Sequence, residues 1–277
     1  MTPPRVAVIG HVEWVEFLRV PRVPVAGDIV HATDVFEQAA GGGGVSSVQL
    51  RKLAGACTFF TALGDDEIGR RCASDLEARG VDLRVAWRAG EPQRRAVTFV
   101  DPQGERTITV LGDRLPPRAS DDLGWDELDG FDAVYLTAGD AAAVRLARRA
   151  RALVATSRVL PLLAEAGVRL DALVGSGNDP AERYRPGDLE PPPRYALITA
   201  GANGGAWHEP TGEPAAWAAE PLPGPVGDAY GAGDSFAAGL TYALGCGMQI
   251  EEAIQMGARC GAANMTGRGA YEGQLEL

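Results

Sequence analysis

The sequence predicts an α/β fold: a three-layer, doubly wound and mostly parallel sheet with helices on both faces, plus a small lid of β-strands. Three observations carry this. Val6 to Ile9 is a short, wholly apolar run ending at Gly10, which suits a strand buried on both faces. From Phe131 onward the pattern alternates. D-A-V-Y-L-T reads as a strand, Ala141 to Ala150 as a helix and A-L-V-A-T as a strand; Val159 to Glu165 is a helix stopped by Gly167, and D-A-L-V-G a further strand. Such alternation implies a parallel sheet whose ligand lies beyond the carboxyl ends of the strands. The third observation is the segment that breaks the rhythm. Arg95 to Leu111 runs A-V-T-F-V, then the turn D-P-Q-G-E, then R-T-I-T-V-L, which is a β-hairpin.

Composition bounds the rest. A chain of 277 residues fits one domain spanning 1–277, with a lid from about 11–40 and 91–115 inserted in it, better than two equal domains. Hydrophobic content of 45% with 23% charged residues is that of a soluble globular protein. The net charge of -11 argues against a nucleic-acid partner, which would call for a basic face. Cys57, Cys72, Cys246 and Cys260 show no C-x-x-C spacing, so reduced thiols are expected and zinc is not. An apolar strand begins within five residues of the N-terminus, and no apolar run is long enough for a membrane span. A cytoplasmic protein with no membrane partner is the expectation.

Taken in order, His11 to Val30 mixes β-branched and charged residues with Pro21 and Pro24, giving short strands and turns. Ala39 to Leu53 reads A-A-G-G-G-G-V-S-S-V-Q-L-R-K-L. Four glycines run directly into a helix with Val45, Val48 and Leu53 on its apolar side and Ser46 or Ser47 as its early cap. Glycines opening a helix make a concavity lined by N–H groups, suited to substrate hydroxyls or to a hinge. Cys57 to Thr61 is a strand, and Ile68, Cys72 and Leu76 mark a helix stopped at Gly80. Asp101 and Arg106 fall on the hairpin as turn and surface groups. Gly175 to Glu182, G-S-G-N-D-P-A-E, sets oxygen-bearing side chains at a strand end. That composition suits a hydrated magnesium ion, with Asp179 first and Glu182 second, or equally an Asn-Asp-Pro turn with capping duty. Tyr195 to Thr199 is a strand followed by the tight turn A-G-A-N-G-G. Glu251 to Met265 is a helix of small residues that favours close packing and leaves Asn264 as a lesser candidate for contact with an adenine ring.

The stretch that organises the chain is Asp228 to Leu240, D-A-Y-G-A-G-D-S-F-A-A-G-L. Gly231, Ala232 and Gly233 carry almost no side chain and lead into an apolar helix. Its unpaired N–H groups and dipole favour an anion such as phosphate. Asp234 at the same point would repel a phosphate, but it suits a base that removes a proton from a hydroxyl attacking a phosphoryl group.

This thirteen-residue string resembles the second signature of the ribokinase-like carbohydrate kinases, the phosphofructokinase-B group. The G-G-x-G of Gly41, Gly42 and Gly44 is similar to the family's first signature, with Ser46 where asparagine is usual. The resemblance extends to A-L-G-D-D-E-I-G, to G-E-R-T on the hairpin and to a T-x-G-x-x-G stretch. It implies transfer of the γ-phosphoryl group of ATP, with Mg2+, to an alcohol on a sugar, sugar derivative or nucleoside. Asp234 would be the base and Gly231, Ala232 and Gly233 the anion hole. Thr199, Gly201 and Gly204 would border the nucleotide, and Asp179 and Glu182 would act on magnesium. Asp228 would brace the loop or help hold a monovalent cation such as K+. Many relatives carry N-x-D after the first strand, where this chain has Glu13 and Val15. Glu13, His11, Asp28 and the glycine loop through Ser46 are therefore the candidates for the acceptor. A non-catalytic sugar- or nucleotide-binding protein on the same fold is the alternative. Association into a homodimer through the lid strands is expected from their free edges.

Overall fold

The computed structural model describes residues 2–277. In chain order the elements are β1 (Val6–Gly10), β2 (Glu13–Arg19), β3 (Asp34–Ala40), α1 (Gly41–Ala54), β4 (Thr58–Gly64), α2 (Glu67–Ala78), β5 (Asp82–Arg88), β6 (Arg95–Val100) and β7 (Arg106–Leu111). There follow β8 (Ala133–Leu136), α3 (Ala141–Ala147), β9 (Ala152–Thr156), α4 (Leu160–Ala166), β10 (Ala172–Ser176), β11 (Tyr195–Thr199), β12 (Gly205–His208), β13 (Ala215–Trp217), α5 (Ala232–Gly245) and α6 (Ile250–Asn264).

The main sheet has nine strands in the order β13-β12-β11-β10-β9-β8-β1-β4-β5. It is parallel from β11 to β5 and antiparallel only at β12 and β13. Strand β1 shows why both faces are covered. Val6 and Val8 enter the core shared with α1, α2, α5 and α6, whereas Ala7 and Ile9 enter the core under α3 and α4. The chain leaves β1 toward β4 and returns on the other side at β8, so strand order reverses there and a crevice opens at the carboxyl ends.

The lid is a second sheet of order β3-β2-β6-β7, with antiparallel outer pairs and a parallel central pair, β2 and β6. Several groups hold it to the body, among them Asp34 and Glu37, which pair with Arg268 and Arg71, and Arg19, which donates to Gly227 O at 2.9 Å. Gln93 accepts from Gly64 N through Oε1 at 3.0 Å and donates through Nε2 to the Val12 carbonyl at 2.9 Å. At the far end, Asp101 Oδ1 closes the hairpin turn on the amides of Gln103 and Glu105. Gly104 O then accepts from Ala229 N at 2.9 Å, so the hairpin tip rests on the loop that opens α5.

Two glycine-rich helix starts, those of α1 and α5, differ from expectation. Helix α1 takes in all four glycines, beginning at Gly41 (φ +77°) with no side-chain cap at Ala40. Ser47 bonds to Gly44 O at 2.8 Å inside the helix, and neither serine caps it. Close packing overrides the low helix propensity of glycine here: a Cβ at Gly43 would lie 2.6 Å from both His11 O and Phe59 Cζ. Helix α5 likewise starts at Ala232, three residues before the apolar run suggested. Among the described residues all four cysteines are free, and no helix is long and apolar enough to cross a membrane.

Candidate active site

A cleft of about 730 Å³ lies between the carboxyl ends of the central strands and the lid. Its floor is the first turn of α5 against the first turn of α1. Gly231 caps α5 with φ +80°, and a Cβ there would meet Val45 Cγ1 at 2.8 Å, so glycine alone fits the turn. The first bond into the helix is Ser235 N to Gly231 O at 2.8 Å. Ala232 N donates to Ala229 O at 3.5 Å, and the amides of Gly231, Gly233 and Asp234 lie at the open, positive end of the helix.

Asp234 sits in that first turn and lines the cleft. A Cβ on Gly42 would stand 3.1 Å from its Oδ1, a tight contact that the glycine avoids. Enclosure away from water pushes its pKa up to about 6, and the nearby Glu182 charge adds to the rise; Arg158 and Arg106 act against it. A carboxylate that exchanges its proton near neutrality, next to a row of amides, can take a proton from a hydroxyl while an anion is held beside it.

On one wall, Asp179 and Glu182 both pair with Arg158, which sits just after β9. Glu182 Oε2 also accepts from Ser176 N at 2.9 Å, and Asp179 Oδ1 caps Ala181 at 2.9 Å. The capped turn expected of this loop forms, and its two carboxylates line the cleft. At the opposite end, Glu13 Oε1 lies 2.8 Å from Arg94 Nε and 3.6 Å from His11 Nε2. Burial works to raise the Glu13 pKa, yet the His11 hydrogen bond and the neighbouring charges outweigh it and leave it lowered. Burial pushes the His11 pKa down, against the pull of Glu13.

The pfkB family carbohydrate kinase model matches residues 3–167 and 190–276. The chain belongs to that family. The kinase is 29% identical to an ATP-dependent ribose-1-phosphate kinase of Halopiger xanaduensis over 288 residues, covering 96% of this chain and 93% of the relative. A match to ribokinase of Dictyostelium discoideum, 27% identical, is confined to 108 residues, 39% of this chain and about a third (34%) of that one. Among solved structures, a microbiome-derived acarbose kinase superposes with TM-score 0.82 at 22% identity, covering 99% of this chain and 96% of the other. Arabidopsis thaliana ribokinase, complexed with ribose and ATP, gives 0.75 at 20%, covering 100% and 96%. The fold is thus the ribokinase fold, and the protein is an ATP-dependent sugar kinase of the pfkB family.

Of the residues singled out in the sequence, the cleft of the kinase gathers Glu13, Gly41, Gly42, Asp179, Glu182, Thr199, Gly201 and the Gly231–Asp234 turn. Others lie elsewhere. Ser46 is fully buried and donates to the Asp234 carbonyl at 3.3 Å, bracing α1 against α5. Gly44 faces Tyr271 in the interior. Asp28 belongs to a surface loop, pairs with Arg22 and accepts from Val25 N. Gly204 (φ +75°) forms the β11–β12 turn beneath Trp217. Asn264 is buried and donates to Ala270 O at 3.0 Å, so it supports the C-terminal loop and faces no opening. Asp228 is fully buried, and its oxygens accept from Tyr230 N (2.8 Å) and Gly269 N (3.3 Å), which is the bracing arrangement.

The cleft also contains groups that sequence reasoning left out. Arg106, expected at the surface, lines the cleft, because alternate residues of β7 (Arg106, Ile108, Val110) face inward. Arg94, Arg114 and Arg158 come from three separate loops with no motif around them. Thr137, directly after β8, brings a buried hydroxyl with no partner next to Gly42. Its place at a strand's carboxyl end was the signal available.

Proposed function

We propose that the kinase transfers the γ-phosphoryl group of ATP to a hydroxyl of a sugar or sugar derivative, with Asp234 as general base. The observation that carries this is the raised pKa of Asp234 beside the open amides of α5. As the acceptor oxygen attacks phosphorus, its proton passes to Asp234. The amides of Gly231, Ala232 and Gly233 face the charge growing on the phosphoryl oxygens, and such preorganised donors are worth ~3–4 kcal/mol each. Thr199 and Gly201 would border the nucleotide. Magnesium would arrive with ATP. Among the described residues no cluster of three metal-ligating side chains exists, and Asp179 and Glu182 are already engaged with Arg158. That set fits an ion held mainly by phosphates and water, with these carboxylates contacting its water shell. The lid would exclude water from the transfer.

A radiometric assay with ATP, magnesium and a panel of sugars and nucleosides tests the reading. Label transfer to a sugar supports it, transfer to nucleosides alone makes it a nucleoside kinase, and calorimetric binding with no transfer to any acceptor overturns it. The pH profile should follow the base. Asp234 must be ionised, so kcat/KM is expected to hold above about pH 6 and to fall tenfold per unit below it. Arg158 lowers that pKa, so Arg158→Ala should move the acid limb to higher pH. A limb that stays in place would separate Arg158 from the base.

A further inference from the structure

A second cavity, of about 350 Å³, opens at the far end of α1 and shares no lining residue with the catalytic cleft. Gly41 faces the cleft at the start of α1, while Arg51 and Lys52 stand in its last turn, roughly 16 Å further along the helix. Arg79, just past α2, and Arg268, from the C-terminal loop, bring the cations around the cavity to four.

Two of the four are matched on one edge only. Arg79 meets Asp75 through Nε and Nη2 at 3.3 and 2.9 Å, and Arg268 meets Asp34 in the same way at 2.8 and 2.9 Å. Their flat faces are used as well: Arg79 lies over the Tyr271 ring at 4.1 Å and Arg268 over Phe36 at 3.6 Å. Both guanidinium groups are thus fixed in place, and among the described residues their Nη1 edges have no partner. The ion pairs at the cavity are those two. Arg51 and Lys52 have none among the described residues, and Lys52 Nζ donates to the Tyr271 carbonyl at 2.7 Å. Enclosure pushes the Lys52 pKa down; Glu276 pulls against it, and Arg79 and Arg51 add to it. The negative end of the α1 dipole accounts for a cation in this turn, but not for four converging on one cavity. On the acid side, Glu272 is occupied by the backbone, accepting from Arg268 N at 2.9 Å, and Glu276 is exposed.

The loop that walls the cavity also reaches the lid and the catalytic floor. Arg268 holds Asp34 of lid strand β3, and Ala270 N donates to Gln38 of the same strand at 3.1 Å. Gly269 N donates to Asp228, whose other oxygen accepts from Tyr230 N, one residue before the Gly231 cap of α5. Tyr271 OH donates to Ala39 O, two residues before Gly41.

We propose that this cavity is an effector site for a small, multiply charged oxyanion, a phosphate or a polycarboxylate, whose binding stiffens the lid. Arg51 and Lys52 take one end of the anion, and the free edges of Arg79 and Arg268 take the other, as forked donors that match paired oxygens. The bound anion then joins the last turns of α1 and α2 to β3.

Calorimetry with pyrophosphate and with citrate tests this, at saturating ADP and constant free magnesium so that the nucleotide cleft is filled. At least one probe should bind, and Arg51→Gln/Lys52→Gln should weaken it ~10-fold or more while leaving ADP affinity within about twofold. Glu276→Gln removes the facing carboxylate and should tighten binding, a gain that misfolding cannot mimic. Hydrogen exchange of the β3 amides should slow on binding in wild type and stay unchanged in the double variant. Tighter binding of pyrophosphate makes the ligand a phosphate, and tighter binding of citrate makes it a polycarboxylate. Binding of neither probe, undiminished binding by the double variant, or unaltered exchange in β3 overturns the proposal. No acceptor enters these measurements, so their outcome is separate from that of the phosphoryl-transfer assay.

Discussion

Asp234→Asn is expected to lose turnover by roughly 10²–10⁴-fold, the usual contribution of a positioned base, while the protein becomes more stable. The second half follows from the sign of the pKa shift. The carboxyl is raised from 3.8 to about 6 in the folded protein, so folding takes up a proton between those values. The cost of holding the charge is absent below the unfolded pKa, grows as pH rises, and is fully present above about pH 6. An asparagine is free of it. A two-unit shift corresponds to at most ~3 kcal/mol, and ~1–2 kcal/mol remains after allowance for the side chain's partial opening to water. At pH 7.5 the variant should therefore melt a few degrees above wild type, with the difference vanishing toward pH 4. Turnover retained above a tenth of wild type would remove Asp234 from the base role. A variant that melts lower would show that the loss comes from folding.

The second large effect is on the fold beneath the site. Gly43→Val would drive a branched side chain into His11 O and the Phe59 ring, both 2.6 Å from where its Cβ must go. Neither can yield, since one is backbone at the exit of β1 and the other is a fully buried ring. Overpacking of this kind costs ~3 kcal/mol, a fall in Tm of roughly 6–10 °C. Whatever folds should also show a higher KM for the acceptor, because α1 must slide away and take Gly41 and Gly42 with it. Thermal denaturation beside acceptor titration checks both; an unchanged Tm would mean that the close approach of α1 to β1 is not required.

The sequence was most informative where one local pattern has one physical meaning. The apolar run of β1, the strand–helix alternation after Phe131 and the hairpin at Arg95–Leu111 each depend on residues close in the chain, and all three form. The Gly231–Asp234 turn was legible for the same reason. The start of α1 was not, because glycines favour a helix here only through contact with His11 and Phe59. Ser46 and Asn264 were assigned to ligands on residue type, but three-dimensional packing turns both inward. Asp28 could be matched to Arg22 only once the loop was seen to fold back on itself. Arg94, Arg114 and Arg158 stand in unremarkable stretches, and only the topology brings them to one cleft.

The bond between Gly104 O and Ala229 N gives the hairpin tip a mechanical role. Ala229 lies two residues ahead of Gly231, so any outward swing of the tip tugs on the residues that aim the helix amides. Opening the roof would then detune the donor side, and a molecule of ATP waiting alone would meet a slackened trigger. Deleting residues 102–104 should accordingly change the ratio of wasteful ATP hydrolysis to sugar phosphorylation, and an unaltered ratio would break that linkage.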